Sequence, residues 1–481
     1  MSLIPKSIEI NKHFVGRDKE ILRLEEIGAS KEPSILIVYG RRRIGKTELL
    51  EQTYRNRNII KFEGVRDKPE SEQMARVLWQ FSQYLSNPYI AKLPVTHWVE
   101  VFKIINDHLP EGTWTLYFEE VQWLANYKED FVDELKYAWD DFFKNKKNLL
   151  LILCGSSPSF IINKIILSKA LYNRSQYELP LREFSLKETQ QLLHPRSKQE
   201  LLDAYLLVGG IPQYLKWLHS KSSVFISLCE NSFIPGSAFL NECEKIFVSS
   251  LESNKHYRTI IEFLAKRRFA TRDEILKHLK LKSSGGITKI LDDLEICRFI
   301  ERYTPYNLNE TSLLARYCIV DPYLQFYYKF IKPIKKQIEN GDYENNPTKA
   351  IKTDAFYKWL GFAFERFCRR KHTLIADILR FGAVNYRSGV YFSRSTNTID
   401  RGFQFDLVFN RDDKVLTLCE IRYSQGKIGV GIIQEFENKL AQFPNHQNKT
   451  LHKVLITTLG ADESLLNRSY FDDIIIVDDF L

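Results

Sequence analysis

The apolar run Ile35-Leu36-Ile37-Val38-Tyr39, followed at once by Gly40-Arg41-Arg42-Arg43-Ile44-Gly45-Lys46-Thr47, constrains this chain more than any other feature. A continuous apolar run without alternation is the mark of a strand covered on both faces. Thr47 to Tyr54 continues as a helix, so a glycine-punctuated loop joins a buried strand to a helix start. Such a loop wraps an anion with its backbone N–H groups, and the helix dipole adds to the attraction. The spacing is that of a phosphate-binding loop, in which Lys46 contacts the β- and γ-phosphates and Thr47 a magnesium ion. ATP with Mg2+ is the expected ligand, cradled by Gly40, Arg41, Arg42, Arg43, Ile44, Gly45, Lys46 and Thr47.

A second half of such a site is an acidic pair at the end of another buried strand, and Leu116-Tyr117-Phe118-Glu119-Glu120 fits. Glu119 is expected to hold the magnesium and Glu120 to orient or deprotonate the attacking water, with Lys46 as the cationic partner in catalysis. The alternative is a solvated strand end at which ATP binds without turnover. The strand Leu149 to Cys154 ends in Gly155-Ser156-Ser157, where Ser156 is either a γ-phosphate contact or a helix cap before Pro158. Arg174 is either a cation that offsets charge on the transferred phosphoryl group or a surface arginine.

At 481 residues the chain is long enough for several domains. Strand-like and amphipathic stretches alternate from Phe14 to about Tyr177, the rhythm of a parallel sheet clothed in helices. From Ser185 to about Tyr328 the pattern is helical, and Glu339 to Thr348 reads as a linker. A helix over Ala355 to Lys371 follows, then strands over Phe403 to Phe409 and Val415 to Arg422, a helix over Ile432 to Phe443 and a strand over Lys453 to Thr457. The seven cysteines are scattered without a Cys-x-x-Cys pair, which suits reduced thiols, and no apolar run is long enough to span a membrane. A cytoplasmic protein without a membrane partner is expected. The net charge of +9 permits a polyanionic partner without demanding one.

Thr271-Arg272-Asp273-Glu274 is a capping box that opens one short helix, and a second over Ser283 to Leu294 precedes the strand-like Phe299 to Tyr303 and Arg316 to Val320. This reads as a helix-turn-helix with a wing that could offer Ser284, Thr288 and Lys289 to DNA, although Asp292, Asp293 and Glu295 share the helix. The basic patches Lys266-Arg267-Arg268 and Arg366 with Arg369-Arg370-Lys371 read as solvated helix faces.

Asp406 and Glu420 each lie inside apolar strand sequence, where an unpaired acid is costly. Strands joined by the Arg411 to Lys414 turn bring the two together around one Mg2+, with the Ile421 carbonyl as a third oxygen, or else they form an inert ion-paired cluster with Arg422. The constellation resembles the PD-(D/E)xK nucleases, which implies catalytic roles for Asp406 and Glu420 and a further acid at Glu365. Arg422 stands where that pattern has lysine; arginine keeps the charge but cannot act as a base. Lys439 is either a substitute from the next helix or a solvated lysine.

Nearly the whole chain resembles the archaeal AAA-type ATPases. The likeness rests on Phe14-Val15-Gly16-Arg17, the phosphate loop, Phe118-Glu119-Glu120-Val121-Gln122-Trp123, Cys154-Gly155-Ser156-Ser157, Gly209-Gly210-Ile211-Pro212 and Asp321-Pro322-Tyr323-Leu324. It implies an α/β fold with a P-loop ATPase core over 1–180, a helical lid over 181–250, a winged-helix region over 251–338 and a restriction-endonuclease-like α/β domain over 349–481. It also implies a base-proximal role for Gly16 and Arg17 and a homo-oligomer or a protein partner, while the nuclease resemblance implies DNA as the target.

Overall fold

The computed structural model describes residues 8–171, 174–251, 254–281, 285–304, 306, 315–392, 402–445 and 447–481. Five parallel strands form the first sheet in the order β2-β3-β4-β1-β5: β1 (Ser34–Tyr39), β2 (Asn58–Glu63), β3 (Trp114–Glu119), β4 (Leu149–Gly155) and β5 (Ser175–Pro180). The unbroken apolar run of β1 has the expected cause. Ile35 and Ile37 pack into the core on one face, Leu36 and Val38 into the core on the other, and all four are fully buried. Each contributes about 1.5–3 kcal/mol relative to exposure. Tyr39 pairs with Gly155 and Glu119 with Cys154, so the C-terminal ends of β1, β3 and β4 lie together on one edge. Strand β5, Ser-Gln-Tyr-Glu-Leu-Pro, carries too little apolar sequence to be read as a strand, because it is a half-exposed edge.

Helices fill the middle of the chain, ending in Ala238–Ser250, Lys255–Ala265, Arg272–Leu279 and Gly285–Ile296. The last three accompany a small antiparallel sheet in the order β6-β8-β7, built from β6 (Ala270–Thr271), β7 (Ile300–Tyr303) and β8 (Arg316–Ile319). The Thr271–Glu274 capping box forms as expected. Ser283 and Ser284 lie outside the described residues, while Thr288 and Lys289 are exposed.

A separate C-terminal sheet has the order β13-β12-β11-β10-β9: β9 (Tyr386–Phe392), β10 (Gln404–Arg411), β11 (Val415–Arg422), β12 (Thr450–Thr457) and β13 (Asp473–Ile475). β9, β10 and β11 are antiparallel, and the helix Gly431–Leu440 carries the chain across to β12, parallel to β11. Helix Thr353–Arg370 contacts β10 and β11. The stretch expected as a free linker is packed instead: Pro347–Ala350 lies against helix Val224–Phe233, Ile338 and Ile351 are buried, and Tyr343 packs beside them. One hydrophobic core runs from Phe184 to Phe480, so the expected boundaries at 251 and 349 fall inside continuous packing. Phe225 against Phe356 and Phe330 against Trp359, with ring centroids 5.4 and 5.9 Å apart, stitch it across the former linker.

Candidate functional site

The phosphate loop leaves β1 at Gly40, where an added Cβ would lie 2.5 Å from the Leu181 carbonyl oxygen. At Gly45 the backbone has φ +90°, a conformation that favours glycine, and no atom lies within 4 Å of where a Cβ would stand. Lys46, buried at the start of helix Lys46–Tyr54, donates to the carbonyls of Gly40 and Arg41 at 2.9 and 3.1 Å. Thr47 donates from its hydroxyl to the Glu119 carboxylate at the tip of β3. Glu119 also pairs with Lys61 at 2.5 Å and accepts from the Tyr117 hydroxyl at 3.1 Å. Burial opposes the Lys61 charge, but Glu119 and then Glu51 outweigh it and raise its pKa.

Glu120 sits in the left-handed region at φ 52°, a strained position for a residue with a side chain. Its Oε2 accepts from the Ser156 amide at 3.1 Å, the Ser156 hydroxyl at 2.6 Å and Gln122 Nε2 at 2.6 Å. Ser156 is fully buried, and its hydroxyl also lies 3.2 Å from the Ser249 carbonyl. It therefore stands behind Glu120 and against helix Ala238–Ser250. Ser157 donates to the Ser250 carbonyl at 2.9 Å, so the tip of β4 is tied to the end of helix Ala238–Ser250.

Two of the three loop arginines are held by carboxylates. Arg41 pairs with buried Asp321. Arg43 grips Glu242, which is fully buried, with Nε and Nη2 at 2.5 and 2.9 Å from its two oxygens. Only the backbone of these residues is left to cradle an anion, because both side chains are drawn to carboxylates of the helical region. Arg17, also buried, donates to the Ile44 carbonyl at 3.0 Å and lies over the Phe184 ring, so it buttresses the loop from below. Arg174 is not brought to the site at all. Ile35, at the start of β1, pairs with Ser175, which places Arg174 at the opposite end of the sheet, roughly 17 Å of strand away. There it holds Asp140 through two contacts of 2.9 and 2.8 Å.

Magnesium and ATP fit the residues present. The side-chain-free backbone at Gly45, the Lys46 ammonium and the Thr47 hydroxyl already against Glu119 supply an anion cradle, a cation and two metal-binding oxygens in one place.

In the C-terminal sheet Asp406 and Glu420 are buried on adjacent strands, in register with the pairing of Leu407 and Cys419. Asp406 accepts from the Ile421 amide at 3.2 Å and from Gln404 at 2.7 Å. Glu420 is held by Lys439 at 2.7 and 2.6 Å and by Arg422 at 2.8 Å. Burial, then the neighbouring Asp406, raises the Glu420 pKa against the pull of these cations. Glu365, on helix Thr353–Arg370, is pushed up to about 7 by burial and then by Asp406. Among the described residues no group of three or more His, Cys, Asp or Glu is placed so that it could hold a metal ion. Lys439 is not a solvated helical lysine. Its ammonium lies on the Glu420 carboxylate, and no sequence spacing announced this, since it comes from a helix folded back over the sheet.

Among the described residues no helix is long and apolar enough to cross a membrane. Residues 14–218 match a family model described as an ATPase domain predominantly from Archaea. The uncharacterized protein MJECL04 of Methanocaldococcus jannaschii is 27% identical over 419 residues, 86% of this chain and 88% of that protein. Among solved structures, the Walker-type ATPase PABY2304 of Pyrococcus abyssi is 18% identical with a TM-score of 0.47, covering 68% of this chain and 99% of its own. The ORC2 protein of Aeropyrum pernix is 14% identical with a TM-score of 0.44, covering 69% of this chain and 96% of its own. The family match over residues 14–218, coinciding with a Lys-Thr-Glu set at the edge of a parallel sheet, makes the N-terminal part of this chain similar to the archaeal P-loop ATPases.

Proposed function

We propose that this protein is a magnesium-dependent ATPase whose nucleotide state is relayed to a C-terminal nuclease-like domain that acts on DNA. The observation that carries the ATPase reading is the meeting of Thr47 with Glu119 beside Lys46, with Glu120 held one residue further on. Thr47 and Glu119 would hold magnesium, which would supply neutralisation of phosphate charge. Lys46 turns from its own loop carbonyls to the phosphates, and Glu120, fixed by Ser156 and Gln122, accepts a proton from the attacking water. Helix Ala238–Ser250 touches both the loop, through Glu242, and the β4 tip, through Ser249 and Ser250, and supports a relay role for the helical lid.

The β9-β10-β11 meander, crossover helix and parallel β12 support the restriction-endonuclease-like assignment, and the three helices with the β6-β8-β7 sheet support a winged-helix region. Asp406 and Glu420 would hold the second metal, which supplies charge neutralisation at the scissile phosphate. Lys439 would supply beside Glu420 the titratable amine that the guanidinium of Arg422 is not. A second reading, an ATP-gated DNA-binding switch with no cleavage, draws on the double pairing of Glu420 by Lys439 and Arg422.

The test incubates the protein with plasmid and linear DNA, Mg2+ or Mn2+, and ATP. Lys46→Ala and Glu120→Gln should each abolish ATP hydrolysis, and Asp406→Ala should abolish cleavage. ATP hydrolysis unaffected by both ATPase variants sinks the first reading. DNA left intact under every condition leaves the switch.

A further inference from the structure

A cleft of about 950 Å³ opens between the small β6-β8-β7 sheet and helix Thr353–Arg370 with strand β9. The two basic patches that read in the sequence as separate solvated faces form its opposing walls: Arg267 and Arg268 on one, Arg366, Arg369 and Arg370 on the other. The described lining holds nine arginines and lysines against three glutamates, an imbalance well beyond that of the chain as a whole. The ion pairs these cations make are long, 3.7 Å for Arg267 with Glu274, 3.6 Å for Arg298 with Glu183 and 3.8 Å for Arg369 with Glu365. Arg268, Arg302, Lys358 and Arg366 make no ion pair among the described residues. Burial, then repulsion by Arg369, lowers the Arg366 pKa to about 10, the state of a cation short of an anion.

Aromatic rings interleave with these charges. Arg268 lies over Phe362 at 4.8 Å and Arg366 near Trp359 at 5.9 Å, while Phe269 and Phe392 share Arg316 at 3.9 and 5.3 Å. Glu365 and Gln404 also line the cleft, and Gln404 donates to Asp406 at 2.7 Å. A groove that combines phosphate-seeking cations with planar groups matches the demands of an unpaired strand, whose bases have free faces to stack. Its volume sits near the upper end for a small-ligand pocket, roughly 300–1,000 Å³, which is room for a few nucleotides and not for a stacked duplex.

We infer that this cleft binds single-stranded nucleic acid and leads it to the Asp406 carboxylate. The inference rests on the nuclease-like reading for the direction of travel, but the binding surface stands on its own lining. Phosphates lie along Arg268, Arg302, Lys358 and Arg369, and a base lies against Phe362.

The test measures fluorescence anisotropy of labelled 20-nucleotide DNA and RNA strands and of a 20-base-pair DNA duplex on the full-length protein, over a salt series. Arg268→Glu and Arg369→Glu, one from each wall, should each weaken single-strand binding about tenfold or more and flatten its salt dependence. Phe362→Ala should weaken it several-fold with the salt slope unchanged. ATP hydrolysis of Arg268→Glu, which lies outside the nucleotide site, should match wild type and certifies the fold. The DNA and RNA arms show which sugar is accepted. Wild-type affinity in both charge reversals, or a duplex bound more tightly than either strand, overturns the proposal. Asp406→Ala should leave binding intact, so a failure of cleavage and a failure of this cleft are read separately.

Discussion

Lys439 reaches back from helix Gly431–Leu440 to place its ammonium 2.7 and 2.6 Å from the two oxygens of Glu420, a carboxylate only 1% exposed. Removing one partner of a buried pair strands the other. Lys439→Met should therefore lower the unfolding free energy by about 2–3 kcal/mol, with Arg422 retaining part of the compensation. Lys439→Arg should recover most of the loss but not any cleavage activity, because arginine stays protonated. Urea denaturation and a plasmid-nicking assay on both variants check this; a Lys439→Met protein as stable as wild type would remove the contact from the argument.

Ser156 donates to Glu120 and is itself fully buried, so its effect on ATP hydrolysis should be indirect. Ser156→Ala should lower kcat about tenfold with little change in KM, as expected for a group that aligns a base without touching substrate. A raised KM at constant kcat would instead place Ser156 on the nucleotide.

Arg43 and Glu242 bind the phosphate loop to the helical region through a pair whose acid is fully buried and also accepts from Tyr214 at 2.9 Å. Arg43→Ala should destabilise the protein by about 3 kcal/mol, since it leaves the Glu242 charge without its cation. Arg43→Ala with Glu242→Gln should recover a large share of that, because the charge is then gone as well. A double variant no more stable than the single would show that the charge is not the source of the cost, and a melting series is enough to decide it.

Asp203, on helix Lys198–Val208, accepts from Tyr423 at 2.8 Å just beyond β11 and is pushed up to about 7, chiefly by burial. Its folded pKa lies above its unfolded one, so the folded state holds the extra proton between about pH 4 and 7. The stability it contributes is complete at low pH and is lost as the pH rises through 7. Asp203→Asn should thus gain stability over wild type on going from pH 5 to pH 8, by roughly 2 kcal/mol after allowing for solvent access. Parallel pH dependences for the two proteins would contradict the burial of this acid.

Local sequence carried the nucleotide half of this protein because its signals are local. The strand, the loop and the helix of the phosphate site are consecutive, and the double burial of β1 shows directly as an unbroken apolar run. The closeness of Lys46 and Thr47 to Glu119 follows from the same local pattern, and the burial of Asp406 and Glu420 could be read because an acid in apolar strand sequence stands out wherever the chain goes. What depended on contacts between distant segments was hidden. Edge strands β5 and β9 bury too little to leave a pattern, and the stretch that looked like a linker is pinned by packing between residues more than a hundred positions apart. The partners of Arg41 and Arg43, the seat of Lys439 over Glu420 and the facing of two basic patches across one cleft exist only once the chain has folded. Composition sets how much charge a chain carries; tertiary structure decides which charges are brought close enough, and dry enough, to act on one another.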